Sequence, residues 1–107
     1  MTTASQPLPL TGSERRYLRA LAHHLKPIVQ IGKAGLTPQV LTAIDHALNQ
    51  HELIKVRFLD GKEQKQAVAQ TIAQTSCSAF VGAVGHVCLF YRQHHDPEKR
   101  QIRLPAS

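Results

Sequence analysis

No run of eighteen apolar residues occurs anywhere in the 107-residue chain, and a helix needs about twenty to cross a bilayer. The opening MTTASQPLPL also lacks the basic start and apolar middle of a secretory signal. A soluble cytoplasmic protein is expected. Cysteine is scarce: Cys77 and Cys88 form no close pair and leave no four-ligand set for zinc. They are badly placed for a disulfide too, because a hairpin turning at Gly85-His86 sets Ala83, not Cys77, opposite Cys88. Both read as small buried hydrophobes in a reducing compartment.

Acidic side chains are the other shortage. Seven Asp and Glu stand against thirteen Lys and Arg, a net charge of +6, and the imbalance is concentrated. From Arg15 through Ile44 there is no acidic residue, while Arg15, Arg16, Arg19, Lys26 and Lys33 all fall inside that window. A polyanionic partner is favoured. The length fits one domain that buries about two-thirds of its unfolded surface. Residues 1–9, with Pro7 and Pro9, read as a flexible leader to a single domain over 10–105.

The local signals give an element order. Thr11 and Glu14 form a capping box for a first helix that should run to about Leu25, where Pro27 pushes Lys26 out of the helical region. At about 100° per residue, Arg15, Lys26, Arg19, His23 and Arg16 share one arc, and Tyr17, Leu21, Leu25, Leu18 and Ala22 share another. Ile28-Val29-Gln30-Ile31 reads as a short buried strand ending at Gly32. Thr37 as cap, Pro38 at the first helical position and Leu36 stapled to Leu41 open a second helix carrying Val40, Leu41, Ile44, Ala47 and Leu48.

Leu53 to Phe58 alternates Ile54, Val56 and Phe58 with Lys55 and Arg57, the pattern of a strand with one buried face. Asp60-Gly61 marks a turn, and Lys62 to about Thr75 a third helix. Strands over 78–84 and 87–92 meet at Gly85-His86, where glycine at the first central position suits a type II′ turn. The expected fold is α/β of the mixed α+β kind, in the order α-β-α-β-α-β-β, with helices on a small four-stranded mixed sheet. The two crossovers should be parallel and the last hairpin antiparallel. Ile102 and Leu104 in the tail either pack or stay loose.

Gly32-Lys33-Ala34-Gly35 carries the chemistry. A GxxG spacing alone is weak, since Gly82-Ala83-Val84-Gly85 repeats it inside a hairpin, where tight turning and close strand packing account for it. The first copy differs in setting. It joins a strand to a capped helix whose N-terminus offers backbone N–H groups and a positive dipole end, and its glycines let a phosphate backbone approach while Lys33 adds a point charge. The competing explanation is a turn made glycine-rich for backbone freedom only. A P-loop spaces its glycines more widely and puts its lysine after the second, and the dinucleotide fingerprint wants a third glycine. A nucleotide-consuming enzyme is disfavoured, and no cofactor is expected.

The histidine pairs 23-24 and 94-95, with His46 and His51, look like ligand material. Adjacent helical residues point about 100° apart, and nothing completes a metal set, so surface histidines are the simpler reading. Asp45, His46 and Cys77 could serve a hydrolase, yet nothing in the sequence orients them toward one another. Phe58, Phe80 and Phe90 fall on strand faces expected to be buried, leaving Tyr17 or Tyr91 as free aromatics. Phosphate contact is therefore favoured over base stacking.

Four blocks in register resemble one family. They are Arg19 to Pro27 (RALAHHLKP), the strand with Gly32 to Thr37 (GKAGLT), His51 to Val56 (HELIKV) and Leu89 to Arg92 (LFYR), and Ile102 to Pro105 also looks like that family's C-terminus. The family is the CRM domain (chloroplast RNA splicing and ribosome maturation), in its stand-alone bacterial YhbY-like form. The resemblance covers roughly residues 10 to 105 and implies a fold similar to the C-terminal domain of translation initiation factor three. It also implies an RNA-binding protein associated with precursors of the large ribosomal subunit, with its GxxG loop on Gly32, Lys33, Ala34 and Gly35 and its basic first-helix surface on Arg15, Arg16, Arg19 and Lys26. With His23 from the basic arc, these are the expected RNA-binding residues. The expected protein is a monomer that is not an enzyme and holds no metal. The alternative is a protein-interaction module whose basic face meets an acidic partner on the ribosome.

Overall fold

The computed structural model describes residues 10–59 and 64–104; the leader, the Asp60-Gly61 turn and Lys62 lie outside them. The elements are α1 (Gly12–Ala22), β1 (Val29–Ile31), α2 (Pro38–His51), β2 (Leu53–Phe58), α3 (Lys65–Ser76), β3 (Ala79–Val84) and β4 (Val87–Tyr91), followed by a short 3-10 turn at Pro97–Lys99. The expected order holds throughout. The strands form one mixed sheet in the order β1-β2-β4-β3. β1 is parallel to β2, and β4 is antiparallel to both its neighbours. β3 thus runs in the same direction as β2, but its hairpin partner β4 sits between them.

Local chemistry sets the helix starts. Thr11 and Glu14 close a reciprocal capping box, and Thr37 Oγ1 accepts from Val40 N at 3.1 Å with Pro38 at the start of α2. α1 ends three residues earlier than the sequence suggests. The amides of His23, His24 and Leu25 bond to Ala20, Leu21 and Ala22 carbonyls, a tightening of the last turn by i→i−3 bonds just before the restriction that Pro27 imposes. α3 begins at Lys65 with Gln64 as cap and ends at Ser76.

Both faces of the sheet carry a core layer, the second over only part of its face, which single-face alternation in β2 did not suggest. On one face Val29, Ile31, Ile54, Val56, Phe58, Cys88 and Phe90 meet Ile44, Ala47 and Leu48 of α2 and Ala69 and Ile72 of α3. On the other, Leu53, Val81, Leu89 and Tyr91 meet Leu18 and Ala22 of α1, flanked by Leu10, Leu21, Val87, Ile102 and Leu104. The tail therefore packs its two apolar residues. Of the two aromatics expected to be free, Tyr17 is exposed and Tyr91 is buried beneath this layer. Each large side chain so buried contributes roughly 1.5–3 kcal/mol.

Two polar anchors hold the lower end together. Glu52 alone joins α2 to β2, with a positive φ of 63°. Its carboxylate is fully buried and accepts from three tail amides: His94 N at 2.7 Å, Gln101 N at 2.6 Å and Ile102 N at 2.9 Å. Arg92 then ties α2 to α3, donating to Asp45 Oδ1 at 2.8 Å, Asn49 Oδ1 at 2.9 Å and the Ser76 carbonyl at 2.7 Å. Arg92→Ala is expected to destabilise the fold by about 2 kcal/mol, seen as a lower urea midpoint at unchanged slope.

Candidate nucleic-acid interface

β1 ends at Ile31, whose carbonyl accepts from Leu59 N at 2.9 Å, so the root of the following loop is fixed to the end of β2. Gly35 N then donates to Gly32 O at 3.0 Å, closing a four-residue turn with Lys33 and Ala34 at its tip. Thr37 N returns to Gly35 O at 3.1 Å and the chain enters α2. Gly32, Lys33 and Ala34 are exposed and Gly35 is half-buried. The first turn of α2 contains no acidic residue, so nothing of its own there offsets the positive end of its dipole.

The two glycines have different reasons to be glycine. Gly35 has φ +71°, which an L side chain rarely adopts. Gly32 has no positive φ, and a Cβ built there would meet nothing within 4 Å. Among the described residues, no backbone strain and no neighbour requires glycine at 32. The second GxxG has one glycine that its own turn requires: Gly85 turns the hairpin at φ +58°, while over Gly82 lies Arg19, its Cδ at an ordinary contact distance of 3.6 Å from a built Cβ. His86 keeps a negative φ, in keeping with the expected type II′ turn.

The basic residues of α1 are brought together only in part. Arg16 and Arg19 are exposed on the helix and His23 is exposed at its C-cap. Arg15 is half-buried and its Nη1 donates to Phe80 O at 2.6 Å and Val81 O at 3.2 Å, spending part of its guanidinium on β3. It lies about 20° around the helix from the buried Ala22, and that places it at the margin of the core. Lys26 is exposed but lies beyond the end of α1, so the helical arc does not apply to it. Helix α1 packs on β3 and β2, and the Gly32–Gly35 loop extends from β1 at the opposite edge of the sheet. The loop and the arginines near β3 thus stand about 14 Å apart across three strand spacings.

Groups considered for other chemistry have structural duties. Asp45 is paired with Arg92. Cys77 is the half-buried, left-handed C-cap of α3, and Cys88 is buried, with burial pushing its thiol pKa up. Burial first, and the Glu52 carboxylate second, push Tyr91 up to about 12; its hydroxyl has no hydrogen-bond partner among the described residues. Among the described residues no three His, Cys, Asp or Glu could share a metal ion. No helix there is long and apolar enough to cross a membrane. The sequence reading missed Glu52 and Arg92 as organisers. A helix and a strand abutting with no glycine between them is the one local hint at Glu52.

Comparison with known proteins gives the family and the fold. The chain is 40% identical over 99 residues to a Haemophilus influenzae protein named RNA-binding protein, covering 92% of this chain and 97% of that one. It is 40% identical over 97 residues to the Bacillus subtilis probable RNA-binding protein YqeI, covering 90% and 99%. The solution structure of a hypothetical protein from Staphylococcus aureus superposes with a TM-score of 0.75 at 37% identity, over 90% of this chain and 99% of that one. Residues 10–92 match the CRS1/YhbY (CRM) domain as a family, and with relatives 40% identical over nearly their whole length and a structural neighbour of the same fold, the chain belongs to that family.

Proposed function

We propose that the chain binds RNA, and that its ligand is precursor ribosomal RNA of the large subunit. The Gly32–Gly35 loop holds the phosphate backbone, and Arg16, Arg19, His23 and Lys26, with what remains free of Arg15, add charge along the α1 side. On this reading it acts in the cytoplasm as a monomeric assembly factor, without catalysis. The observation that carries it is Gly32: an exposed glycine next to Lys33, with no positive φ and, among the described residues, no neighbour that requires glycine there. Close approach by an external backbone supplies the missing reason. The names of the relatives point to the same class of ligand.

The test is a salt titration of affinity for a structured ribosomal RNA fragment. If four or five cations neutralise phosphates, log affinity should fall against log salt with a slope of about −3 to −4.5. A flat response would contradict phosphate gripping. Nuclease treatment separates the alternative: co-sedimentation with large-subunit precursors should be lost with the RNA, whereas persistence would favour an acidic protein partner.

A further inference from the structure

Helix α1 leaves one row of the sheet uncovered. Ladder partners share a face, and the pairs Gln30↔Arg57, Arg57↔Val87 and Val87↔Val84 cross all four strands on the α1 side. Gln30 and Arg57 are exposed, Val87 is half-buried and Val84 is 71% exposed. In the next row Leu89 is buried and Arg19 lies over Gly82, so the covered part of the sheet stops there. At the β1 edge the row is two residues from Gly32.

We infer that this row is a second RNA contact, a floor for an unpaired segment continuous with the backbone held at the Gly32–Gly35 loop. The inference rests on the RNA-binding reading above. Arg57 stands in the middle of the strip, Arg19 borders it, and no acidic residue belongs to either row; the charge complements a polyanion. The strip is narrow, about 14 Å across four strands, and lies beside a helix layer about 10 Å thick. An unpaired strand can lay bases flat against such a floor, where the Arg57 guanidinium plane takes the part that an aromatic plays elsewhere. Val84 and Val87 add apolar contact without sequence preference.

The test compares two probes: an RNA duplex of about 16 base pairs, and the same duplex with about six unpaired nucleotides added. Arg57→Gln and Val84→Glu, both at exposed positions, should weaken binding of the extended RNA about tenfold and leave the plain duplex unchanged. Variants that bind both probes as the wild type does would overturn the inference. So would equal losses on both, which would mean general charge rather than a strand floor. Gly32→Asp is the separate control: if it weakens neither probe, the loop reading itself fails, whatever Arg57 does.

Discussion

A Gly32→Asp variant is expected to fold as the wild type does and to lose RNA affinity by at least about tenfold, since a like charge set against a phosphate costs several kcal/mol. Its stability should change by no more than about 0.5 kcal/mol, because the residue is exposed, has no positive φ and has open space where the Cβ would go. Gly35 is the poorer probe. At φ +71° any side chain there is strained, by roughly 1–2 kcal/mol, so a binding defect would be mixed with a local change in the turn. Gly32→Ala separates two causes: it adds only the Cβ, so a smaller loss measures close approach and the further loss in the aspartate variant measures charge. Thermal unfolding and fluorescence anisotropy on the same samples read both quantities.

Glu52→Ala is expected to be the most damaging single change, at about 3–5 kcal/mol. It removes the buried acceptor of three tail amides at once while leaving residue 52 at a positive φ. The tail should loosen from Leu53 and Tyr91, and amide exchange should accelerate most at His94, Gln101 and Ile102. Glu52→Gln should fall between, because one oxygen is kept and an N–H donor faces the remaining amide or amides. A midpoint shift below about 1 kcal/mol for the alanine variant would mean that water replaces the carboxylate and that the tail contributes little.

What could be read from the sequence was local. The Thr11-Glu14 box, the Thr37-Pro38 start and the Gly85 turn each complete their chemistry within a few residues, and each is found where it was expected. Alternation in Leu53–Phe58 fixed the strand. It did not reveal that Leu53 and Arg57, on the same face, have different fates: α1 covers the first and stops short of the second. That distinction depends on where a helix distant in sequence happens to end. The position of β4 between β2 and β3 and the burial of Tyr91 under the returning tail are non-local in the same way. Angular reasoning on α1 grouped Arg15 with the solvent face although it lies at the core margin, and grouped Lys26 with a helix it does not belong to.

The most direct measurement of the central claim is ultraviolet crosslinking of the full chain to RNA in cells, with the crosslinked peptides mapped by mass spectrometry and the RNA sequenced. The phosphate-cradle account predicts crosslinks in the segment around Gly32 to Gly35, carrying large-subunit precursor RNA. Crosslinks confined to the 93–104 tail, or none at all, would contradict it.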